Sequence, residues 1–403
     1  MKLNLGAMNK KTQIITLMVA LTTTIILAGC EVTPNNVRRV VTSGILSGND
    51  PTAVVESLAR ERLNSYRSNP RQLISDIEDL RKALRDLRTV AEAIWGEEKD
   101  TVPSEKKYVK YSDNFHAKAV VDFEQGLLTV ATLHDSNNPA ETRQKLQAAI
   151  VRTLLTPADL TAVDIFTDKE PEGSGKPFLR GQVIDQDNVV VEYQWRAKRF
   201  AEYLVNNKLR TRRAKDNDVY EVKIALVDDH KALRKHQYSD YVIAAAKRYD
   251  IEPELIYAII ETESSFNPYA VSHANAYGLM QVVAATAGRD VFERVREVPG
   301  QPTSEQLFDP AQNIDIGSAY LYILNTQYLK GVRNPSSREY AIVSAYNGGA
   351  GNVLKTFSSN RNRAIQIMNR SQPGVIYRDL TSKHPLAESR RYLEKVMYFK
   401  QNY

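Results

Sequence analysis

Apolar residues first recur with a helical period at Leu73, Ile77, Leu80, Leu84, Leu87, Ala91 and Ile94, spaced alternately four and three apart. That spacing draws one stripe along a helix. Asn69-Pro70 ahead of it reads as a cap followed by proline at the first helical position, and Gly96 reads as the stop. The stripe is about three heptads long, which suits packing on its own domain; a coiled-coil partner is the other use of such a pattern. An earlier helical region spans residues 51 to about 66. The period then changes. Ala119, Val121 and Phe123 alternate with polar or small neighbours, Gln125-Gly126 supplies a turn, and Leu128 and Val130 resume the alternation, predicting a β-hairpin. Asn138-Pro139 opens a helix containing Leu146, Ile150, Leu154 and Leu155. A loop rich in Gly, Pro and charge covers residues 167–177. Strand-like runs follow at 179–184 and 189–193 around a polar turn, then a helix with Trp195, Phe200 and Leu204, then a strand with Tyr220, Val222, Ile224 and Leu226.

These elements predict a mixed α+β domain over residues 51–228. Residues 229–237 are polar and charged and read as a linker. From 238 to 403 the pattern is helical almost throughout, with no convincing strand and no internal repeat. The expected fold is therefore an α+β N-terminal domain followed by an all-α domain, and 403 residues accommodate two domains of ordinary size.

The start of the chain has a different character. Lys10 and Lys11 precede an apolar stretch, residues 14–27, that closes on Leu27-Ala28-Gly29-Cys30. A short apolar core with basic flank and small closing residues is a secretory signal, here residues 1–29. Ending in cysteine, it resembles the lipobox of bacterial lipoproteins. That resemblance implies cleavage before Cys30, lipidation of Cys30, and a tether over residues 30–50; an uncleaved anchor with a chance cysteine is the alternative, though the run is short for a span. Glu31 follows the cysteine where an aspartate would signal inner-membrane retention, so an outer-membrane lipid anchor facing the periplasm is expected. With Cys30 the sole cysteine, no intrachain disulfide is possible. Loss of Lys2, Lys10 and Lys11 with the signal takes the formal charge from +6 to +3. That bias suits a partner bearing carboxylates and is too weak for nucleic acid. The six histidines are scattered without metal-ligand spacing, so no metal and no cofactor is expected.

The candidate chemistry lies after Pro253. Leu255, Ile256, Ile259 and Ile260 form a buried stripe, and Glu263, seven positions beyond Ile256, falls within about 20° of it at 100° per residue. A carboxyl aimed along an apolar face has a raised pKa, as a general acid at neutral pH requires. Periodicity alone favours a solvated helix-end glutamate over an active-site acid. Glu261 falls away from the stripe and is expected to face outward.

Three further blocks follow in order. Glu263-Ser264-Ser265-Phe266-Asn267-Pro268 is followed by Gly278-Leu279-Met280-Gln281, by Ala345-Tyr346-Asn347-Gly348-Gly349, and by Glu388-Ser389-Arg390-Arg391-Tyr392. Together they resemble the goose-lysozyme-like catalytic domain of soluble-type lytic transglycosylases, over roughly residues 238–400. With the lipobox and the α+β region, the whole chain resembles the membrane-bound branch of that family. The resemblance implies an all-α lysozyme-like fold and cleavage of peptidoglycan glycan strands with one catalytic carboxylate, Glu263. Protonated Glu263 would donate to the oxygen between N-acetylmuramic acid and N-acetylglucosamine, assisted by the substrate's acetamido group. As carboxylate it would then take the proton of the muramic C6 hydroxyl, closing a 1,6-anhydro ring without water. The resemblance places Ser272, Met280, Gln281, Tyr346, Asn347 and Tyr392 along the substrate. Ser272 reads equally well as a turn residue, and Met280 and Phe266 equally well as core. Many relatives continue Leu-Met-Gln with Ile-x-Pro, whereas Val282, Val283 and Ala284 stand here, which puts subsite details in question. Asp309 or Asp315, read as helix-cap and helix residues, would be the second carboxylate if the reaction were hydrolysis. A wall-binding lipoprotein without catalysis is the remaining class. Nothing in the sequence names a protein partner.

Overall fold

Helix α1, Ile77–Trp95, carries the first stripe on a slightly rotated face: Ala83, Leu87, Val90, Ala91 and Trp95 are buried, whereas Leu84 and Ile94 are half-exposed. The Trp95 indole donates to the Phe115 carbonyl at 2.7 Å, and Gly96 ends the helix at φ +77°. The computed structural model describes residues 77–98, 100–158, 163–171, 175–215 and 217–403, with residues 57, 59 and 60. The signal, Cys30, the tether, most of the 51–66 helix and the Asn69-Pro70 start lie outside the described residues.

Residues 59–403 form one compact unit. Its first part is a five-stranded antiparallel sheet between helices. The strands are β1 (Lys107–Ser112), β2 (Ala117–Asp122), β3 (Leu127–Leu133), β4 (Arg210–Ala214) and β5 (Asn217–Ala225), in the order β1-β2-β3-β5-β4. The expected hairpin is β2–β3, with Val121 opposite Leu128 and Ala119 opposite Val130. Period two divides its side chains between two layers. Ala119, Val121, Phe123, Leu128 and Val130 meet Leu146, Ala149, Ile150 and Leu154 of α2, Pro139–Leu154. Val109, Tyr111, Val120 and Ala131 meet α1 on the other face. Asn138 caps α2, accepting the Glu141 N–H at 3.2 Å, and α3, Gln194–Asn207, lies against α2. Strands β1 and β4 escaped the sequence reading. The runs at 179–184 and 189–193 are not strands; one isolated bridge joins Ile184 to Val190. The Asp185 carboxylate instead accepts from the N–H groups of Asp187 and Val189 and from Arg196, folding the segment into a turn.

The expected linker is helix α4, His230–Gln237, with Arg234 buried. Beyond it come α5 (Ser239–Tyr249), α6 (Pro253–Ser264), the two-residue strands β6 (Ala276–Tyr277) and β7 (Val282–Val283), a π-turn at Ala284–Gly288, α7 (Arg289–Arg294), α8 (Ser304–Phe308) and α9 (Pro310–Ile323). A second π-turn, Leu324–Tyr328, leads to α10 (Pro335–Gly348), α11 (Ala350–Phe357), α12 (Arg361–Arg370), α13 (Pro373–Lys383) and α14 (Ala387–Lys400). The β6–β7 pair is a small departure from the expected absence of strands. Helix α14 lies along α6. Ile256, Ile259 and Ile260 are fully buried. At about 1.5–3 kcal/mol each, they outweigh the backbone cost of the bend at the end of α6, about 1–2 kcal/mol per left-handed residue.

The two parts share one core. Tyr108 of β1, Phe123 and Phe178 pack around Tyr269, with the Tyr108 and Tyr269 rings 5.0 Å apart. No described helix is long and apolar enough to cross a membrane.

Candidate active site

Pro253 begins α6 at a position where its missing N–H is unneeded. The helix ends in a bend at Ser265 (φ +50°) and Phe266 (φ +61°), both left-handed without being glycine. Asn275 (φ +62°) and Gln281 (φ +47°) share that conformation a few residues on. Such strain persists only where surrounding contacts impose it, and two of these residues directly follow the end of the helix that carries Glu263. Ser264 anchors the helix end by donating to Leu279 O at 2.8 Å. Asn267 donates to Glu105 O at 3.1 Å, across to the segment that leads into β1.

Glu263 stands at this end of α6, with only part of its surface exposed. Burial is the main cause that pushes its pKa up to about 8. The negative charges of Glu388 and Glu105 add to the rise, while the Tyr392 hydroxyl and the Lys106 charge oppose it. Tyr392, from α14, is buried; its hydroxyl makes no other hydrogen bond and faces the acid. Tyr346, from α10, donates its hydroxyl to Met280 O at 2.8 Å. Burial, then the Glu263 charge, raises both tyrosines well above their ordinary range, so both remain hydroxyl donors at any working pH. Asn347 follows Tyr346. Its carbonyl accepts from Ser389 at 2.6 Å and its amide approaches Glu388 at 3.4 Å. Gly348 permits this crossing of α10 and α14, since a Cβ there would stand 2.5 Å from the Ser389 hydroxyl.

The Gln281 amide donates to Gly278 O at 3.0 Å, and its carbonyl oxygen is buried without a partner. It is thus an acceptor waiting for a donor. The structure thus brings Glu263, Tyr346 and Tyr392 within reach of one another, with Asn347 next to Tyr346 and Gln281 next to Met280, whose carbonyl holds Tyr346. Ser272 and Met280 differ. The Ser272 hydroxyl accepts from the Ala276 N–H at 3.1 Å within a turn, which is its bland reading. The Met280 side chain is fully buried, and a Cβ on Gly317 of α9 would stand 2.6 Å from its sulfur. This corrects the expectation of substrate contact by Met280: the side chain is core, and its carbonyl is what holds Tyr346. Phe266 is core as well.

One other expectation changes, that for Glu261, while Asp309 and Asp315 are the helix-cap and helix residues they were read as. Glu261 does not face solvent; it is 8% exposed, with Lys231 at 3.4 Å and the Tyr403 hydroxyl as partners. Asp309 caps α9 by accepting from Gln312 N at 2.8 Å. Asp315 pairs with Arg248 at 2.5 Å and Arg296 at 3.1 Å. Both aspartates are thus committed to structure. The sequence reading also missed Asn313. Fully buried, it accepts from Met280 N and donates to Tyr277 O and Leu307 O, each at 2.8 Å. Gln312 and Asp315 beside it are polar too, so it carried no signal that set it apart. Glu105 and Lys106, which face the acid from the sheet's side, gave none. Among the described residues no group of three or more His, Cys, Asp or Glu could hold a metal. A cavity of about 600 Å³ opens at the other end of the sheet, beside Asp113, His134 and Lys145, and contains none of the site residues.

Residues 73–237 match the family described as membrane-bound lytic murein transglycosylase C, N-terminal domain, and residues 240–369 match the transglycosylase SLT domain. The membrane-bound lytic murein transglycosylase C of Klebsiella pneumoniae subsp. pneumoniae is 46% identical over 313 residues, which is 77% of this chain and 86% of that protein. The protein of the same name from Serratia proteamaculans matches with the same identity and coverage. Among solved structures, the 70 kDa soluble lytic transglycosylase of Escherichia coli is similar over 40% of this chain and 23% of its own, at 27% identity and a TM-score of 0.31. With relatives this similar over 86% of their length, and both halves matched in order, the chain belongs to the membrane-bound lytic murein transglycosylase C family.

Proposed function

We propose that this protein cleaves the β-1,4 bond between N-acetylmuramic acid and N-acetylglucosamine in peptidoglycan without water, leaving 1,6-anhydro ends, and that Glu263 serves first as acid and then as base. The observation that carries the reading is one carboxyl, Glu263, pushed up to about 8 by burial, with the Tyr392 hydroxyl facing it. At neutral pH Glu263 holds a proton and can donate it to the glycosidic oxygen. The glucosaminyl oxygen leaves with that proton while the muramic acetamido oxygen closes on the anomeric carbon. Glu263, now anionic, then takes the proton of the C6 hydroxyl, whose oxygen displaces the acetamido oxygen. The carboxyl ends protonated, ready for another cycle. The Tyr392 hydroxyl steadies the carboxylate between the two steps. The Gln281 carbonyl accepts from a sugar hydroxyl or amide, and Asn347 and Tyr346 line the same cleft. In this reading Cys30 is lipidated and holds the enzyme on the outer membrane, facing the wall. Family membership and the order of the four blocks support it.

The test is mass spectrometry of muropeptides released from purified sacculi. Products one water lighter than reducing-end sugars are expected. Reducing-end products would make the enzyme a hydrolase and turn attention to Glu388, whose charge Glu263 feels most strongly among the acids. Release of no product would favour wall binding without catalysis.

The acid must be protonated to act, so kcat should hold steady through neutral pH and fall tenfold per unit above about pH 8. A pH profile of kcat on a soluble glycan checks this. A decline that begins near pH 5 would mean that the carboxyl is not held in its protonated form.

A further inference from the structure

Arg234 is 2% exposed and, among the described residues, has no carboxylate in ion-pair contact, although the Glu261 charge is near enough to act on it, an unusual state for a guanidinium. Its hydrogen bonds reach three parts of the chain. Nη2 donates to Phe123 O at 2.9 Å at the end of β2, with the guanidinium 4.8 Å over the Phe123 ring. Nη1 donates to the Gln182 carbonyl oxygen at 2.7 Å and to His230 Nδ1 at 2.9 Å. Nε donates to Ser265 O at 3.3 Å. Since arginine only donates, His230 accepts through Nδ1 and is neutral, which agrees with burial and the Arg234 charge pushing its pKa down to about 4. Gln182 is itself fixed by donating to Phe178 O at 3.1 Å.

Ser265 is the first residue of the left-handed bend, two positions beyond Glu263. Its carbonyl is therefore gripped by a side chain whose other bonds all end on α4 and the sheet region. We propose that Arg234 is a positioning residue for the acid: through it, the N-terminal region holds the bend behind Glu263 and so sets the direction of the carboxyl in the cleft. The proposal rests on Glu263 being the acid. It gives the N-terminal region a role in the rate of the chemical step, exerted from behind the acid. Arginine suits the task because its planar fork can meet carbonyls in several directions at once, which the single ammonium of lysine cannot do.

The experiment uses the full chain purified in detergent, with a soluble glycan as substrate. Arg234→Met, Arg234→Lys and Gln182→Ala are compared with the parent for kcat and KM. Glycan affinity is measured for each change in a Glu263→Gln background, and folding by thermal melting. Arg234→Met should lower kcat at least tenfold with KM and glycan affinity within twofold of the parent. Arg234→Lys should recover part of that loss. Gln182→Ala, whose hydrogen bonds run to Phe178, Leu179, Val227 and Arg234, should lower kcat about threefold and keeps the test decisive if Arg234→Met fails to fold. A folded Arg234→Met or Gln182→Ala enzyme with kcat within a factor of two of the parent overturns the proposal, as does a loss confined to KM. A parent that makes no anhydro product would instead defeat the functional reading.

Discussion

Glu263→Gln should reduce the release of anhydro-muropeptides by a factor on the order of 10³ to 10⁴, because one group performs both proton transfers. Glutamine keeps the shape and can donate a hydrogen bond, but it can neither give up a proton to the leaving oxygen nor accept one from the C6 hydroxyl. Glycan affinity should change little, so the loss should sit in kcat. The same substitution has an opposite effect on stability. The carboxyl's ordinary value of 4.5 is raised to about 8 in the folded state. The native state therefore binds the proton more tightly than the unfolded state does, and stability falls as pH rises from about 4.5 to 8. Glutamine does not titrate. Calorimetry should find the two proteins melting together near pH 4 and the variant melting higher at pH 9. A difference in melting temperature that does not grow with pH would show that the site does not hold the acid protonated.

Gly278→Ala should unfold the protein far more readily, costing about 3–5 kcal/mol. Gly278 has φ +71°, and an added Cβ would stand 2.3 Å from Leu307 O and 2.5 Å from the Asn313 amide. Left-handed alanine alone costs about 1–2 kcal/mol. The rest comes from Asn313, which must shift and so loosen its bonds to Met280 N, Tyr277 O and Leu307 O, at about 1–3 kcal/mol for each buried group left unpaired. Gly181→Ala is the control. Its φ of +79° is likewise positive, and the one atom within 4 Å of its Cβ position, Leu233 Cδ1 at 3.7 Å, is at ordinary contact distance. Urea denaturation of the two should separate them by at least about 2 kcal/mol. Equal losses would mean that left-handed conformation, and not close approach, is what keeps Gly278 a glycine.

Elements with a strong local signal were legible in the sequence. Helix α2 announces itself by Asn138-Pro139, and the β2–β3 hairpin by alternation around Gly126. Helix α6 was legible in its periodicity, and the candidate site in four short blocks that the fold gathers from α6, the β6–β7 region, α10 and α14. What failed was decided at long range. Strand β1 reads Lys-Tyr-Val-Lys-Tyr-Ser, yet Lys110 is buried because its ammonium reaches Thr167 O at 2.7 Å. Glu261 looked solvated until Tyr403, far along the chain, turned out to lie against it. The 179–193 segment alternates like a pair of strands, but one carboxylate, Asp185, collects its N–H groups into a turn. The supposed linker is polar because its charged residues line a short helix, and the one that matters, Arg234, points inward.

Strand order leaves β1 and β4 as the sheet's edges. An uncovered edge is an invitation to pair with another chain, and β4 answers it with Arg210, Arg212 and Arg213 in a run of five residues. The answer has particular weight for molecules tethered to one surface. Diffusion in two dimensions brings neighbours together far more often than the same number would meet in free solution. Arg212 is matched by Glu98 and Glu221, and Arg213 by Asp218, so a strand that approaches β4 meets a fringe of bulky paired side chains and not a bare edge.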